Sequence, residues 1–364
     1  MRVYVLAAGG CVIGAGYCLT AWASGYSGWC GLLFGGRAVA NVVDRIRLSK
    51  AAKEVTQGDA PELLDIAITK RCTRRCPYCY MDAGDAVDMP LVAFEKLMEE
   101  AGRIGVFQVA LGGGEPTIHP QFIDILACAR QHKVVPNYTT NGDNLTNEVL
   151  EATAKYVGAA AISYHDGHRS IERGKPLTEV VPTNIHFILG HETVDEAIWL
   201  LQHREAWADY NAVIFLRYKP VGRADASGAL TIEDAARFLA AVEETAGDLS
   251  GAIGFDACLV PLLFGGPFAD FTYSACGAAR FSMFVDVDGR AAPCSFFRDK
   301  AWPSAFEHGI RGCWHSKPFE EFRQSQERNG ECAGCQFSKV CRKCLLLDDI
   351  CGPRVRQCRV SSNA

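Results

Sequence analysis

The chain has 364 residues, which is enough for a large buried core and for two domains. A net charge of -5 gives neither the basic excess typical of nucleic-acid-binding proteins nor the acidity of a disordered chain, so we expect no nucleic-acid partner. Ten of its 17 cysteines lie from Cys258 to Cys358. This grouping predicts metal ligation in a reducing compartment, and hence a cytoplasmic protein.

Residues 3–36 contain no charged side chain, and such a length is compatible with a membrane span. Three hypotheses remain open. Small residues at Gly10 and Gly14, followed by basic residues, favour a membrane anchor with a cytoplasmic C-terminal part. Ala21 and Ala23 resemble a signal-peptide cleavage site. Nine glycines would weaken a helix, which favours an apolar segment packed on the main domain or an extension read through a wrong start codon.

From about Pro61 the sequence alternates between strand and helix patterns. The predicted strands are residues 63–69, 106–111, 133–138, 159–163, 184–189 and 212–217. The predicted helices are residues 91–103, 121–131, 147–156, 171–180, 194–207 and 232–244. Six such units predict an α/β fold with a parallel sheet in a partial (β/α)6 barrel, whose chemistry lies at the carboxyl ends of the strands.

Near Gly251 this pattern stops. Asp288 and Gly289 separate two short apolar runs, which predicts a β-hairpin. The region beyond is dense in cysteine and poor in apolar runs, so metals would have to hold it together. We therefore divide the chain into an apolar segment (1–55), a barrel (56–250) and a cysteine-rich cluster-binding domain (251–364).

The loop directly after the first predicted strand contains Cys72, Cys76 and Cys79. Three thiolates at this spacing suit a metal or a cluster, because a disulfide would use only two of them. Residues 112–116 (GGGEP) follow the second strand, residues 139–142 (TTNG) the third, and Ser163 the fourth. A lone glycine-rich turn would carry little weight, but here each motif follows a successive strand.

These motifs resemble the radical S-adenosylmethionine (SAM) superfamily, with Tyr78 as the aromatic residue before the third cysteine. The resemblance implies a 4Fe-4S cluster on three thiolates, whose open iron binds SAM and cleaves it reductively to a hydrogen-abstracting 5'-deoxyadenosyl radical. It also implies SAM contacts from Tyr78, Gly113, Gly114, Glu115, Thr140, Asn141 and Ser163. The stretch from Ser163 to Gly167 has one residue more than the pattern of relatives.

The C-terminal third resembles the SPASM extension, through Cys276, Gly289 and Cys294 and through the Cys332, Cys335 and Cys341 spacing. This implies two auxiliary 4Fe-4S clusters. The family's ligand order assigns one to Cys258, Cys276, Cys294 and Cys344, and the other to Cys332, Cys335, Cys341 and either Cys351 or, by the longer gap, Cys358. A zinc ribbon is the alternative, although its two CxxC pairs are usually separated by roughly 15–20 residues.

For the activity, the resemblance implies a radical SAM enzyme, an oxidoreductase or peptide maturase. SPASM relatives mostly modify ribosomally made peptides or proteins by crosslinking, epimerisation or oxidation. A tailoring enzyme for a haem- or quinone-type cofactor is the alternative. A non-enzymatic iron-sulfur or zinc scaffold is a third hypothesis. Anaerobic sulfatase maturases carry an acidic base where this chain has Ser295, which argues against that subgroup. Asp166 and Asp256 are the candidate acid-base residues.

Partners follow from the same resemblance. Four cations surround the cysteine loop at Lys70, Arg71, Arg74 and Arg75, and they form either a docking surface for a flavodoxin- or ferredoxin-type electron donor or a solvated basic loop. No segment before Pro61 resembles a peptide-recognition module, so a peptide substrate would be recognised by the barrel mouth, the N-terminal segment or a separate protein. Membrane contact would run through residues 3–36.

Overall fold

The computed structural model describes residues 4–6, 57–245, 252–266, 276–298, 300–327, 341–342, 344–347, 350–352 and 355. The anchor and signal-peptide hypotheses therefore concern a segment that lies outside these residues, except for a strand at Tyr4–Leu6. Within the described ranges, every helix is too short or too polar to cross a bilayer.

The described residues form a sheet in the order β1-β8-β7-β6-β5-β4-β3-β2-β9-β10, parallel except for the last pair. Its strands are β1 Tyr4–Leu6, β2 Leu63–Thr69, β3 Gln108–Gly113, β4 Val135–Thr140, β5 Ala160–Ser163, β6 Thr183–Leu189, β7 Ala212–Arg217, β8 Ile253–Asp256, β9 Ser282–Val285 and β10 Ala291–Ala292. The helices between β2 and β8 are α1 Leu91–Ile104, α2 Phe122–Gln131, α3 Asn147–Tyr156, α4 His168–Thr178, α5 Val194–Gln202 and α6 Ile232–Thr245. The predicted α/β barrel is confirmed.

Two strands begin two residues later than predicted, because each preceding helix ends in a turn that uses the intervening residues. Val106 donates its backbone N–H to Ala101 O at 2.9 Å, so it completes the end of α1. Val134 donates likewise to Ala129 O at 2.9 Å after α2, and Lys133 has a φ of 63°. An apolar run therefore overestimates a strand wherever its first residues close a helix.

The parallel sheet extends beyond residue 250 on both sides. β8 adds to β7, and the short helix α7 (Val260–Leu263) follows it. β9, the first strand of the predicted hairpin, pairs in parallel with β2, so that Leu63 lies opposite Ser282. The hairpin strand therefore joins the strand that leads into the cysteine loop. The division into domains at residue 250 stays a prediction.

Two C-terminal helices, α8 (Ala305–Trp314) and α9 (Lys317–Glu327), pack on the same core as α1. Helix α8 is kinked at Gly309, whose φ is 71°. The Glu100 carboxylate of α1 accepts hydrogen bonds from the backbone N–H groups of Ile310 (2.7 Å) and Arg311 (3.1 Å) just after the kink. Glu100 thereby caps the second half of α8 and links it to the barrel.

We expect Glu100→Ala to lower stability by about 1 kcal/mol, the usual cost of losing a helix cap. The change is measured as a lower thermal unfolding midpoint of the anaerobically purified protein. Glu99→Ala is the control, because Glu99 is the exposed neighbour on the same helix. Equal midpoints for the two variants would contradict the capping role.

Candidate active site

The three cysteines of the first motif lie at the carboxyl end of β2, where they line a cavity of about 1170 Å³, counting the space open to solvent. Cys72, Cys76 and Cys79 are partly exposed, and no disulfide joins any of them. Burial raises the pKa of the Cys72 and Cys76 thiols. Thiolates at these positions therefore need a positive partner, which the iron of a cluster supplies.

The segment after β7 cradles the cysteine loop. Arg223 donates its Nε–H to Cys76 O at 3.0 Å and one NH1 hydrogen to Ala83 O at 2.8 Å. Gly222 has a φ of 73°, and a Cβ there would lie 2.5 Å from Cys79 O. These contacts show that the segment holds the cysteine loop.

The glycines after β3 permit close contact between loops. A Cβ on Gly114 would lie 1.9 Å from Arg71 O, and one on Gly113 would lie 2.3 Å from Thr69 O. A Cβ on Gly112 would meet nothing within 4 Å. The backbones after β2 and β3 therefore interlock at Gly113 and Gly114, while Gly112 faces open space in the cavity wall.

Glu115 is 1% exposed, and its carboxylate joins two loops. It accepts hydrogen bonds from the Thr140 hydroxyl and the Asn141 N–H, each at 2.7 Å. The Thr117 hydroxyl and N–H also donate to it, at 2.7 and 3.2 Å. Desolvation raises the pKa of Glu115 against the opposing effect of these bonds. Thr140 therefore contacts Glu115 and is not part of the cavity lining. The cavity is lined by Glu115, Asn141, Gly113, Gly114 and Ser163.

Tyr78 contacts a residue that the motifs did not single out. Its hydroxyl lies 2.9 Å from Nδ1 of His165, and both side chains line the cavity. Burial lowers the pKa of His165 to about 4, so its ring is neutral at pH 7. His165 lies in the stretch that departs from the family pattern. This departure is the signal that could have identified it.

Asp166 lies among cations rather than in the cavity lining. Its Oδ2 accepts hydrogen bonds from Arg173 and Arg74, each at 2.6 Å, and these bonds lower its pKa. Arg74 also binds Asp143, with its NH2 group 2.6 Å from Oδ1. Asp166 is therefore held as a carboxylate that links the cysteine loop to α4, a poor arrangement for proton donation.

Asp256 does line the cavity. Its Oδ2 accepts a hydrogen bond at 3.0 Å from the Lys219 ammonium, and the two side chains are only 3% and 2% exposed. Lys219 also lies over the ring of Phe296, with its Nζ 4.1 Å from the centroid. No sequence signal links these residues, because they lie on separate strands and loops.

Four of the C-terminal cysteines converge on a second, smaller cavity. Cys258, Cys276, Cys294 and Cys344 all line it, although they come from four different segments. Burial raises the pKa of the Cys276 thiol to about 11 and that of Cys294 to about 12. The set matches the first auxiliary ligand set inferred from the resemblance. Cys332, Cys335 and Cys358 lie outside the described residues, so the second set stays a prediction with Cys341 and Cys351.

Both cavities suit 4Fe-4S clusters. Three thiols face one cavity and four face the other. The donor sets are thiols of the kind that 4Fe-4S clusters take, three with an open position and four without.

We expect Gly114→Ala to displace the cysteine loop, because the added Cβ would overlap Arg71 O. The variant should lose the SAM-binding cluster and keep about 8 of about 12 irons per chain after anaerobic reconstitution. Gly112→Ala is the matched control and should keep the full load. A full iron load in Gly114→Ala would show that the two backbones do not interlock.

Burial lowers the pKa of His186 to about 4. Since the unfolded imidazole titrates near 6.5, acid favours the unfolded state, and stability is lost as the pH falls from about 6.5 towards 4. At pH 5.5 the loss should exceed that of His186→Gln by about 1.4 kcal/mol. Thermal unfolding of both proteins between pH 7.5 and 5.5 checks this difference. Parallel pH profiles would contradict it.

Two family models match the chain: the radical SAM superfamily model at residues 66–202, and the SPASM iron-sulfur cluster-binding domain at residues 276–336. Mycofactocin maturase MftC of Mycolicibacterium smegmatis is 28% identical over 314 residues, which cover 78% of each chain. PqqA peptide cyclase of Granulibacter bethesdensis is 21% identical, over 75% of this chain and 79% of its own.

Crystal structures of Streptococcus suis SuiB share the fold. The complex with precursor peptide SuiA has a TM-score of 0.67 at 20% identity, covering 86% of this chain and 79% of SuiB. The complex with S-adenosylmethionine has the same TM-score at 21% identity. With both domain models matched and the thiols grouped in two cavities, the chain belongs to the radical SAM superfamily, as an enzyme with a SPASM domain whose cofactors are 4Fe-4S clusters and S-adenosylmethionine.

Proposed function

We propose that this enzyme modifies a ribosomally made peptide by radical hydrogen abstraction, forming a crosslink, an epimer or an oxidised side chain. The observation that carries the proposal is its likeness to mycofactocin maturase over 78% of both chains. The PqqA peptide cyclases are further relatives, and the SuiB structure holds a precursor peptide. When bound, the cluster and SAM would supply the 5'-deoxyadenosyl radical.

The cavity supports a second molecule beside SAM. Its lining extends beyond the SAM contacts that the resemblance implies. Tyr78 and Asn141 line the cavity, and so do Lys219, Asp256 and Phe296. We therefore place SAM against Tyr78 and Asn141, in the contacts that the resemblance implies, and the peptide side chain nearer Lys219 and Asp256.

For acid-base chemistry we propose Asp256 rather than Asp166, because Asp256 lines the cavity and Asp166 is held by two arginines. Ser295 is fully buried beside Cys294. It therefore does not present the acidic group that sulfatase maturases place after the corresponding cysteine.

We propose that a flavodoxin or ferredoxin docks at the basic part of the cysteine loop. Arg74 forms a salt bridge with Asp143, and Arg71 forms one with Asp88, whereas Arg75 is exposed. The donor's acidic surface would therefore meet Arg75 and Lys70 first.

Cluster chemistry with this many thiols requires a reducing compartment, so we place the enzyme in the cytoplasm. Peptide capture would involve the barrel mouth or a separate recognition protein.

The test of the proposed function is anaerobic reconstitution followed by reduction in the presence of SAM. The native chain should form 5'-deoxyadenosine and bind iron near 12 per chain. A variant with Cys72, Cys76 and Cys79 changed to Ala should form none and keep about 8 irons. Cys128→Ala, on α2, is the matched control and should behave like the native chain. A full iron load without 5'-deoxyadenosine would leave only a scaffold role.

The substrate class needs its own measurement. Short peptides encoded beside the gene are incubated with the reduced enzyme and SAM, and their masses are compared before and after. A crosslink or oxidation should remove two hydrogens, and an epimerisation should instead add one deuterium from heavy water. Unchanged peptides together with turnover of a haem- or quinone-type precursor would overturn the peptide assignment and favour cofactor tailoring.

A further inference from the structure

Lys219 lies in the wall between the two cysteine sites. It lines the cavity of Cys72, Cys76 and Cys79, and it also lines the cavity of the auxiliary cysteines. Phe296 is likewise shared by both cavities. Whatever occupies one site is therefore separated from the other by an ammonium group and an aromatic ring.

Three contacts fix the ammonium. Nζ donates to Asp256 Oδ2 at 3.0 Å and to Arg217 O at 3.1 Å, and it lies 4.1 Å from the centroid of Phe296. A buried ion pair of this kind contributes little net stability, because desolvation offsets the attraction between the charges. Its effect on neighbouring groups is larger, because a charge acts strongly where water is excluded.

The charge of Lys219 acts mainly on the auxiliary side. It attracts the thiolate charges of Cys258, Cys294 and Cys344. Asp256 opposes this attraction at Cys258. The cation that acts on both Cys72 and Cys76 is instead Arg223, and Arg74 acts as a second cation at Cys76. Each cysteine site thus has its own source of positive charge.

The carboxylate ties the pair to the first auxiliary cysteine. Asp256 ends β8, and its Oδ1 accepts the N–H of Leu259 at 3.0 Å. Its backbone O accepts the same N–H at 2.9 Å. Cys258 lies within this turn. The pair therefore stays at a fixed place relative to the thiol of Cys258.

We propose that Lys219 is a positioning residue whose buried ammonium raises the reduction potential of the cluster held by Cys258, Cys276, Cys294 and Cys344. Reduction adds one electron to this cluster and no proton, because the ammonium is already charged. The added negative charge is stabilised by the nearby cation, and net charge is one of the factors that set the potential of iron-sulfur clusters. The inference rests on the proposed ligand set, but not on the identity of the substrate.

The test is a redox titration of the reconstituted full chain, followed by electron paramagnetic resonance. The SAM-binding cluster is identified as the one whose signal changes when SAM is added. Lys219→Met should lower the midpoint potential of one auxiliary cluster and leave that of the SAM-binding cluster unchanged. Lys219→Arg keeps the charge and should restore the potential. Lys300→Met is the matched control, because Lys300 lies over the Phe297 ring at 5.2 Å but is exposed.

Unchanged auxiliary potentials in Lys219→Met, or the same shift in Lys300→Met, would overturn the proposal. If the Lys219→Met variant does not bind iron, the midpoint potential of the Asp256→Asn variant tests the proposal instead. Removing the carboxylate leaves the ammonium unopposed, so the potential should rise, and an unchanged or lower value would overturn the proposal.

The ligand set is tested separately. Cys276→Ala should remove the signal that Lys219→Met shifts, whereas loss of a different signal would refute the set and not the role of the charge.

Discussion

A nearly fully buried carboxylate holds together the end of the barrel at which the site lies. An unpaired charge in the position of Glu115 would cost several kcal/mol, and the four hydrogen bonds from Thr117, Thr140 and Asn141 offset that cost. Asn141 also donates to the Thr73 hydroxyl at 2.9 Å, which extends the link into the cysteine loop. The loops after β2, β3 and β4 are therefore joined through the side chains of Glu115 and Asn141.

The two cysteine sites differ in how their charge is compensated. Near the first site, Arg74 is neutralised by Asp143 and Asp166, and its guanidinium serves to connect loops. Near the second, the ion pair of Lys219 and Asp256 is almost fully buried. The first site lies in the larger cavity, whereas the second lies in the smaller one. A cluster bound by thiols would therefore experience a different electrostatic environment at each site.

Much of the fold follows from local pattern, because a buried parallel strand must be apolar along its length. Leu63–Thr69, Asn147–Tyr156 and Ala212–Arg217 were predicted to the residue. The pairing of β9 with β2 was not predicted, because a hairpin pattern does not indicate which distant strand the hairpin pairs with. The sequence also did not predict that the missing side chain of Gly114 makes room for Arg71 O, which is a contact between two loops. Lys219 and Asp256 meet because β8 pairs with β7, and β8 was not among the predicted strands.

The pairing of β9 with β2 has a consequence for biosynthesis. Leu63 lies opposite Ser282, so this edge of β2 stays unpaired until more than two hundred further residues have left the ribosome. Contacts between such distant positions form slowly, because the intervening chain must first be ordered. The strand that leads into Cys72 therefore reaches its final surroundings only after β9 has been synthesised, long after the cysteine loop itself.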